Sequence, residues 1–390
     1  MKNFLKTIVL LIILINLSAC RNSHSKTSIP KNDFLNKFDK KVSRLMKEYD
    51  VPGTSVLVIH NGEIAFKKGY GYATVEEKIP VTEQTIFRVA SISKSVAAFG
   101  IMKLVEEGKI ELDVPVEKYL KRWHIPSSKY NSDGVTVRRL LSHTSGLNIE
   151  GYPLYEPGKP VPSIEQSISG AAGEQWKVTL QNEPGSTFYY STGGYAVLQL
   201  LVEEVTGEKF EVYMKKEVFD TLGLKNTGYD SSIWSKTIFA TGYTGTGKAI
   251  KERNLVDFAG VGLMTSSEDL GKMVLFCIDG MNENSVLKHE TLNMMFAPSP
   301  NAKNMFGEYG LGFSIQKLSN GEKMISHSGD IVGWFFICYS QIPFKVVYGL
   351  EDYELYTFFS PEFLWITVMV VILCICFIAM SLFTQKVHRD

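Results

Sequence analysis

The stretch that decides the fold is Phe87-Arg88-Val89-Ala90-Ser91-Ile92-Ser93-Lys94-Ser95. The stretch Ile86 to Val89 is strand-like. The residues after Ser91 are apolar at helical spacing as far as Gly108, which suits a helix C-terminus. Residues three apart on a helix share a face, so Lys94 is expected to lie over the hydroxyl of Ser91. A buried lysine there can take the serine proton, and the helix N-terminus adds positive potential where an oxyanion would form.

The pattern S-x-x-K is weak by itself, because it recurs along the chain. It also begins at Ser23, Ser28, Ser285 and Ser314. The first two lie in a polar stretch, and Ser314 lies on a predicted strand, where Lys317 would point to the opposite face. Ser91 is distinguished by opening an apolar helix directly after a strand, which makes it the candidate nucleophile.

The composition excludes several other function classes. Lys plus Arg and Asp plus Glu are equal at 41 each, so the chain lacks the basic footprint of a nucleic-acid-binding protein. The five cysteines show no CxxC spacing, no His/Cys cluster has zinc-ligand spacing, and neither a metal nor a cofactor is expected. The stretch from Gly242 to Lys248 fits G-x-x-x-x-G-K, but Ala249 follows where a phosphate-binding loop needs a hydroxyl.

The N-terminal 20 residues are predicted to be a secretory signal. Lys2 and Lys6 precede an apolar run from Ile8 to Leu17, which is the expected order of charge and hydrophobicity. The run ends Leu17-Ser18-Ala19-Cys20, which resembles the lipobox of bacterial lipoproteins and makes Cys20 a lipidation candidate. The alternative is a plain signal peptide with an accidental cysteine. The polar residues 21–32 are predicted to be a flexible tether.

The C-terminal end is predicted to cross a membrane. No charged residue occurs from Phe363 to Phe383, a length that suits one bilayer crossing. Lys386 and Arg389 follow, and a positive flank belongs on the cytoplasmic side, so residues 384–390 are predicted to be a cytoplasmic tail. Everything before the span would then lie outside the cytoplasm. The alternative is a buried core helix, but such helices rarely exclude charge over this length.

Between these ends the pattern predicts one α+β domain over residues 33–350. Asp33 to Tyr49 has helical spacing, and the strands Ser55–Ile59 and Ile64–Lys68 flank an Asn-Gly hairpin signal. Residues 110–235 are predicted to be a mostly helical insertion, with 163–185 as its least structured part. Further strands are predicted at Tyr309–Lys317, Lys323–His327, Trp334–Gln341 and Lys345–Leu350. Strands at both ends of the domain favour an antiparallel sheet that is flanked by helices.

The stretch around Ser91 resembles the serine β-lactamase and penicillin-binding-protein family, and most closely its class C branch. Other stretches of the chain match further motifs of this family, and they occur in the same order as in the family. They are Val51-Pro52-Gly53, Leu140-Leu141-Ser142-His143-Thr144-Ser145-Gly146-Leu147, Leu222-Gly223-Leu224-Lys225-Asn226-Thr227 and Tyr309-Gly310-Leu311-Gly312-Phe313. The resemblance covers roughly residues 33 to 350. It implies a β-lactamase/transpeptidase-like fold with a helical subdomain, and acyl transfer through Ser91 and Lys94.

The resemblance implies a second catalytic element at Tyr190. The segment Phe188-Tyr189-Tyr190-Ser191-Thr192 is similar to the family's Tyr-x-Asn segment, whose tyrosine exchanges protons with the nucleophile and the leaving group. Thr192 replaces the usual asparagine, whose amide would bind the substrate carbonyl. Thr192 is therefore a substrate-binding candidate with a weaker group, which puts β-lactam turnover in particular in doubt.

The resemblance implies a third element at His327-Ser328-Gly329, which matches the family's Lys/His-x-Gly strand along one wall of the site. Gly329 allows a substrate backbone to approach closely. The oxyanion hole would be the N–H groups of Ser91 and Asp330. His143 lies in a motif that the family uses structurally, so a packing role is expected for it.

These features together predict a membrane-anchored extracytoplasmic serine hydrolase. Its partners would be the membrane and small-molecule or peptide substrates of the cell envelope: D-amino-acid peptides, esters or β-lactams. The alternative from another class is a non-catalytic envelope protein that keeps the fold as a binding or sensing module. The presence of both Ser91 and Lys94 favours the enzyme.

Overall fold

The structure is a computed structural model that describes residues 31–60, 62–234, 238–244, 246–279, 286–304, 307–318, 321, 323–331 and 334–341. The predicted leader with Cys20, most of the predicted tether, the predicted span Phe363–Phe383, the tail and the strand expected at 345–350 lie outside these residues. Among the helices in the described ranges, none is both long enough and apolar enough to cross a membrane.

The first helix covers one face of the N-terminal hairpin. Helix α1 (Lys31–Glu48) includes all but the last residue of the predicted segment, and it buries Phe38 and Val42 at helical spacing. The ring of Phe38 meets Phe66 edge to face, with centroids 5.6 Å apart. The last two residues of the predicted tether therefore already belong to this helix.

The Asn-Gly signal does mark a hairpin, as predicted. Strand β1 (Gly53–His60) pairs antiparallel with β2 (Glu63–Thr74), and His60 faces Glu63 across the turn. A short third strand, β3 (Ile79–Pro80), adds to the outer edge of β2. The strands are longer than their apolar runs because ladder hydrogen bonds extend the pairing into polar residues.

A small sheet holds the chain just before Ser91. Strand β4 (Ile86–Arg88) pairs with β6 (Met264–Ser266), which also pairs with β5 (Thr227–Gly228). These strands come from three distant parts of the sequence. The start of the helix that follows β4 is thereby fixed by long-range pairing.

Helix α2 (Ile92–Glu106) runs through the centre of the domain. Most of its residues are buried on all sides, including its polar residues Ser93, Lys94 and Ser95. A helix without a solvent face is typical of the middle of a core. It ends as predicted, because Gly108 has a φ of +70°.

Helices and loops dominate the insertion. The α-helices are α3 (Val137–Leu141), α4 (Ile164–Ile168), α5 (Thr192–Thr206) and α6 (Phe210–Met214). Tighter 3₁₀ turns occur at Val116–Lys118, Ser132–Gly134, Glu174–Trp176 and Ser231–Ile233, and a π-helical turn at Lys215–Phe219. Helix α5 is the longest of these α-helices and lies beside α2 in the main core.

The segment 163–185 contains more regular structure than the sequence pattern predicts. Ser163 caps α4 by accepting a hydrogen bond from the N–H of Gln166, whose side chain accepts one from the N–H of Ser163. This capping box, Ser-x-x-Gln, is visible in the sequence, although hydrophobic periodicity alone does not reveal it.

The C-terminal part of the domain forms the larger sheet. After α7 (Ser267–Asp279) and α8 (His289–Met295), the strands are β7 (Lys303–Asn304), β8 (Gly307–Tyr309), β9 (Ser314–Lys317), β10 (Lys323–Ile331) and β11 (Trp334–Gln341). They pair antiparallel in the order β11-β10-β9-β8-β7.

The prediction of one strand over Tyr309–Lys317 is wrong. The chain reverses within it, so that Tyr309 in β8 pairs with Ser314 in β9. Gly312 has a φ of +87°, and a side chain on Gly310 would collide with the carbonyl oxygen of Met295. The two glycines permit a turn that packs tightly against α8, and an apolar pattern alone cannot reveal such a turn.

The α+β fold is confirmed: helices pack on antiparallel strands drawn from both ends of the domain. Within the described residues β1–β3 and β7–β11 form separate sheets. The strand predicted at 345–350, which would extend the larger sheet, lies outside these residues, so a single sheet built from both ends stays a prediction.

Candidate active site

The candidate nucleophile lies at a sharp turn between β4 and α2. Ala90 has a φ of +46°, a left-handed conformation that costs a non-glycine residue about 1–3 kcal/mol. Ser91 follows at the N-cap of α2, but its side chain makes no capping hydrogen bond and is only half buried. The turn therefore presents the Ser91 hydroxyl to its surroundings at the positive end of a helix.

Lys94 lies over Ser91, as the spacing predicts. Its side chain is completely buried, and its Nζ donates to Ser91 Oγ at 3.2 Å and to the carbonyl oxygen of Gly260 at 2.9 Å. Gly260 belongs to a π-helical turn, Phe258–Gly262, that packs beside α2. The lysine nitrogen is therefore within reach of the proton that Ser91 must lose to become a nucleophile.

The two other serines of this helix have structural partners instead. Ser93 Oγ donates to the carbonyl oxygen of Ala90 and accepts from the N–H of Leu263 at 2.9 Å. Ser95 Oγ donates to the carbonyl oxygen of Gly312 at 2.6 Å. Neither hydroxyl contacts Lys94, so the geometry favours Ser91 alone among the three.

Tyr190 forms the wall beside Lys94. Its ring is half buried, and the Nζ of Lys94 is 5.0 Å from the ring centre. Among the described residues, the Tyr190 hydroxyl makes no hydrogen bond to Ser91 or Lys94. Catalytic hydrogen bonds often tighten only when substrate binds, so this position is compatible with the proton-transfer role that the motif implies.

An aromatic cluster holds Tyr190 in place. Its members are Tyr190, His143, Phe188, Tyr195 and Tyr309. His143 lies at its centre and is completely buried, which lowers the pKa of its imidazole well below the usual value, with Lys94 and His327 adding to that effect. A neutral imidazole at neutral pH fits the packing role expected for this residue.

Thr192 has a different environment from the one its motif implies. It is the first residue of α5 and fully buried, and its Oγ1 donates to the carbonyl oxygen of Glu150 at 2.6 Å. That bond uses the only proton of the hydroxyl, so Thr192 has none to donate to a substrate carbonyl. A short hydroxyl side chain at a helix start readily bonds nearby backbone, which explains the difference from an amide.

His327 lies on β10 and is held from both sides. Its Nδ1 donates to the carbonyl oxygen of Ser328 at 2.6 Å, so its Nε2 accepts from the hydroxyl of Tyr309 at 2.9 Å. Burial lowers the pKa of His327 to about 4, and Lys94 contributes to this shift. The wall is therefore polar but uncharged at neutral pH.

Gly329 lets β10 approach the start of α2. A side chain there would lie 2.1 Å from the carbonyl oxygen of Val89 and 3.0 Å from the nitrogen of Ser91. In the described part of the chain the Ser91 N–H has no protein acceptor. The contact brings the backbone around Asp330 beside this N–H, which is the arrangement that the predicted oxyanion hole requires.

The two residues that flank Gly329 on β10 are exposed. They are Ser328 and Asp330. Partial burial raises the pKa of the Asp330 carboxyl, and nearby Lys94 opposes that shift. Between them these residues offer hydroxyl and carboxyl groups to a substrate, and no cation.

Two further residues contribute to the site and were not singled out from the sequence. Tyr309 donates to His327, although the sequence predicts only a strand at this position. Asp257 lies next to the turn that receives Lys94, with its carboxyl completely buried. The one available signal for Asp257 was a lone acid within the apolar run Leu255-Val256-Asp257-Phe258-Ala259.

A family model described as Beta-lactamase matches residues 38–348. Protein flp of Staphylococcus aureus is 27% identical over 311 residues, which are 77% of this chain and 59% of flp. The chain thus spans about three fifths of the length of flp. A putative penicillin-binding protein, PbpX of Bacillus subtilis, is 28% identical over 337 residues, covering 83% of this chain and 79% of PbpX.

Solved structures agree with these matches. The octameric penicillin-binding protein homologue from Pyrococcus abyssi aligns with a TM-score of 0.65 and 29% identity, over 79% of this chain and 70% of that one. A protein from Pseudomonas syringae described as a beta-lactamase/D-alanine carboxypeptidase aligns with a TM-score of 0.63 over 78% of this chain and 90% of its own. Its identity is 18%, so this second likeness shows the fold alone.

Proposed function

Because the chain belongs to the beta-lactamase family of penicillin-binding-protein-like serine hydrolases, we propose that it hydrolyses its substrate through an acyl-enzyme on Ser91. The observation that carries the proposal is the contact of 3.2 Å between Lys94 Nζ and Ser91 Oγ at the N-terminus of a buried helix. A buried lysine without a carboxylate in hydrogen-bond contact can act as a base toward a neighbouring hydroxyl.

The reaction follows from the positions of the groups. Lys94 takes the proton of Ser91 as Oγ attacks the substrate carbonyl carbon. The N–H groups of Ser91 and Asp330 stabilise the oxyanion that forms. The proton then passes to the leaving group, with Tyr190 as the relay beside Lys94, and water releases the acyl group by the reverse proton transfers.

The charges of the site favour uncharged substrates. His327 is neutral at neutral pH, and Asp330 carries a carboxyl group. Lys94 contacts Ser91 and serves as the base in the proton transfer. A substrate that ends in a carboxylate would meet no fixed cation on this part of β10. We therefore propose esters and blocked D-amino-acid peptides as preferred substrates, with β-lactams and free-acid peptides turned over less well.

The location remains part of the proposal. The apolar runs Ile8–Leu17 and Phe363–Phe383, with Cys20 after the first, support a membrane-anchored protein whose catalytic domain lies outside the cytoplasm. Substrates would then come from the cell envelope.

The test is covalent labelling of the purified full chain with a fluorophosphonate. Wild type and Ser93→Ala should label, and Ser91→Ala should not, because Ser93 is bonded to Ala90 and Leu263 and lies away from Lys94. Labelling of Ser91→Ala would refute the assignment. Absence of labelling and of turnover in wild type would favour a non-catalytic binding or sensing module.

Substrate choice is tested with matched pairs. A D-Ala-D-Ala peptide with a free carboxylate is compared with its methyl ester, alongside a short-chain ester and a fluorescent penicillin. We expect a higher kcat/KM for the methyl ester than for the free-carboxylate peptide. We expect Asp330→Asn to make the difference between these two values smaller. An equal or reversed preference would contradict the charge argument.

A further inference from the structure

A buried carboxyl group lies behind Lys94 and has no assigned role. Asp257 is completely shielded from solvent, and its Oδ1 accepts from the N–H of Gly260 at 2.8 Å. Its Oδ2 has no hydrogen-bond partner among the described residues. A half-satisfied carboxyl in a core is costly, and such a cost persists where the group is used.

The backbone of a single residue, Gly260, connects this carboxyl to the catalytic lysine. The N–H of Gly260 faces Asp257, and its carbonyl oxygen accepts from Lys94 Nζ at 2.9 Å. A side chain on Gly260 would lie 2.1 Å from Asp257 Oδ2, so the contact requires glycine. Asp257 thus holds the turn that orients Lys94 toward Ser91.

The polar groups around Asp257 are neutral side chains and the amine of Lys94. Tyr152, after α3, and Tyr229, after β5, also face it, and burial raises the pKa of both phenols, so they stay neutral. From α5, Gln199 contacts the backbone of the same turn through its neutral amide. Burial raises the pKa of Asp257 to about 6, and Lys94 opposes this shift.

We propose that Asp257 is a positioning residue for acylation, which fixes the turn under Lys94 and stabilises the ammonium group that Lys94 becomes. The inference rests on the proposed function. As Ser91 Oγ bonds to the carbonyl carbon, its proton moves to Lys94 Nζ. When the bond to the leaving group breaks, the proton leaves with that group. Asp257 stays ionised throughout and exchanges no proton.

The experiment follows the rate of fluorophosphonate labelling of the full chain as a function of pH. Asp257→Asn keeps the size and the acceptor for Gly260 but removes the charge. Without that negative charge, binding of a proton at the site is less favourable. The midpoint of the rise in labelling rate with pH should therefore move to lower pH by about one unit or more. The plateau at high pH should fall several-fold, because the ammonium group is less stabilised.

Two further variants separate charge from structure. Asp257→Glu retains the charge, so its midpoint should not move to lower pH even if its rate falls. Asp269→Asn changes another completely buried aspartate, which is bonded to Asn226, Thr227 and Lys272 away from the site, and should leave the midpoint unchanged.

The results distinguish this inference from the proposed function. Labelling of wild type at Ser91 supports the nucleophile whatever the Asp257 variants do. An unchanged midpoint in a folded Asp257→Asn, or an acid shift in Asp257→Glu as large as that expected for Asn, would overturn the role of Asp257 alone. Failure of wild type to label would overturn both.

Discussion

The imidazole of His143 stacks on the phenol ring of Tyr190, with ring centres 4.3 Å apart and planes 33° from parallel. The same imidazole accepts a hydrogen bond through Nδ1 from the N–H of Ser191 at 3.1 Å. His143 has a φ of +58°, which turns the chain at the end of α3. One structural residue thus holds both the side chain of Tyr190 and the backbone that follows it.

Substitution of His143 should therefore affect stability and reaction together. We expect His143→Ala to lower the free energy of unfolding by about 2–4 kcal/mol, because it leaves a cavity and an unpaired N–H. The folded fraction should label at Ser91 at least several-fold more slowly, because Tyr190 loses its support. Denaturant unfolding and labelling rates measure the two effects.

The control for this prediction is His124→Ala. The side chain of His124 is 65% exposed and pairs with Glu117 away from the site. It should change neither quantity by much. If His143→Ala kept the wild-type labelling rate, the stack would have no part in positioning Tyr190.

Loss of either proton-transfer group should slow acylation without unfolding the domain. Lys94→Ala and Tyr190→Phe should each lower the rate by about 10²–10⁴-fold, the usual contribution of a positioned acid or base. Burst kinetics with a chromogenic ester would measure acylation directly. Tyr189→Phe, a change at the adjacent half-buried tyrosine, is the matched control. Wild-type kinetics in Tyr190→Phe would remove that residue from the mechanism.

The buried carboxyl of Asp257 should destabilise the fold at neutral pH. Its folded pKa of about 6 lies above the unfolded value of 3.8, so the folded state binds the proton more tightly. This contribution therefore improves stability as pH falls from about 6 toward 3.8, and above pH 6 the full cost, about 3 kcal/mol, is present. Asp257→Asn should be as stable as wild type or more stable at pH 8, with the advantage lost at pH 4.

Asp269→Asn should be less stable than wild type at pH 8. It loses a buried carboxylate whose oxygen lies 2.7 Å from the Nζ of Lys272. Urea unfolding at both pH values measures the difference between each variant and wild type. Because each value is a difference from wild type, the contribution of His327 to the pH dependence cancels. The depressed pKa of His327 removes stability as pH falls from 6.5 toward 4. A strong loss of stability in Asp257→Asn at pH 8 would contradict the prediction.

Two anchors on one chain would restrict where the site can work. A spanning helix holds a protein in the bilayer effectively permanently, whether or not a lipid is also attached. The lipid expected on Cys20 would therefore add little retention. With a short tether before α1, it would keep the N-terminal side of the domain close to the bilayer.

Membrane fractionation tests this arrangement. Truncation at Glu362 should leave the protein attached through Cys20, and release should require Cys20→Ala as well. Release by truncation alone would show that lipidation does not occur. In intact cells, a tag placed after Asp390 should resist external protease, and its digestion would reverse the orientation inferred from Lys386 and Arg389.

Local signals predicted the fold where they were strong. The predicted hairpin of β1 and β2 and the central helix after Ser91 formed as expected, because turn chemistry and uninterrupted apolar spacing act over a few residues. The single strand over Tyr309–Lys317 did not form. Its glycines permit a reversal that depends on close packing against Met295, and that contact is not visible along the chain.

By itself the sequence determined the pairing of Ser91 with Lys94, since a spacing of three on a helix sets the geometry regardless of the rest of the fold. Only the tertiary structure decided what surrounds that pair. It placed Asp257 behind Lys94 through Gly260, and it engaged the Thr192 hydroxyl with Glu150. These contacts join residues far apart in sequence, and the packing of the whole core sets their burial and charge.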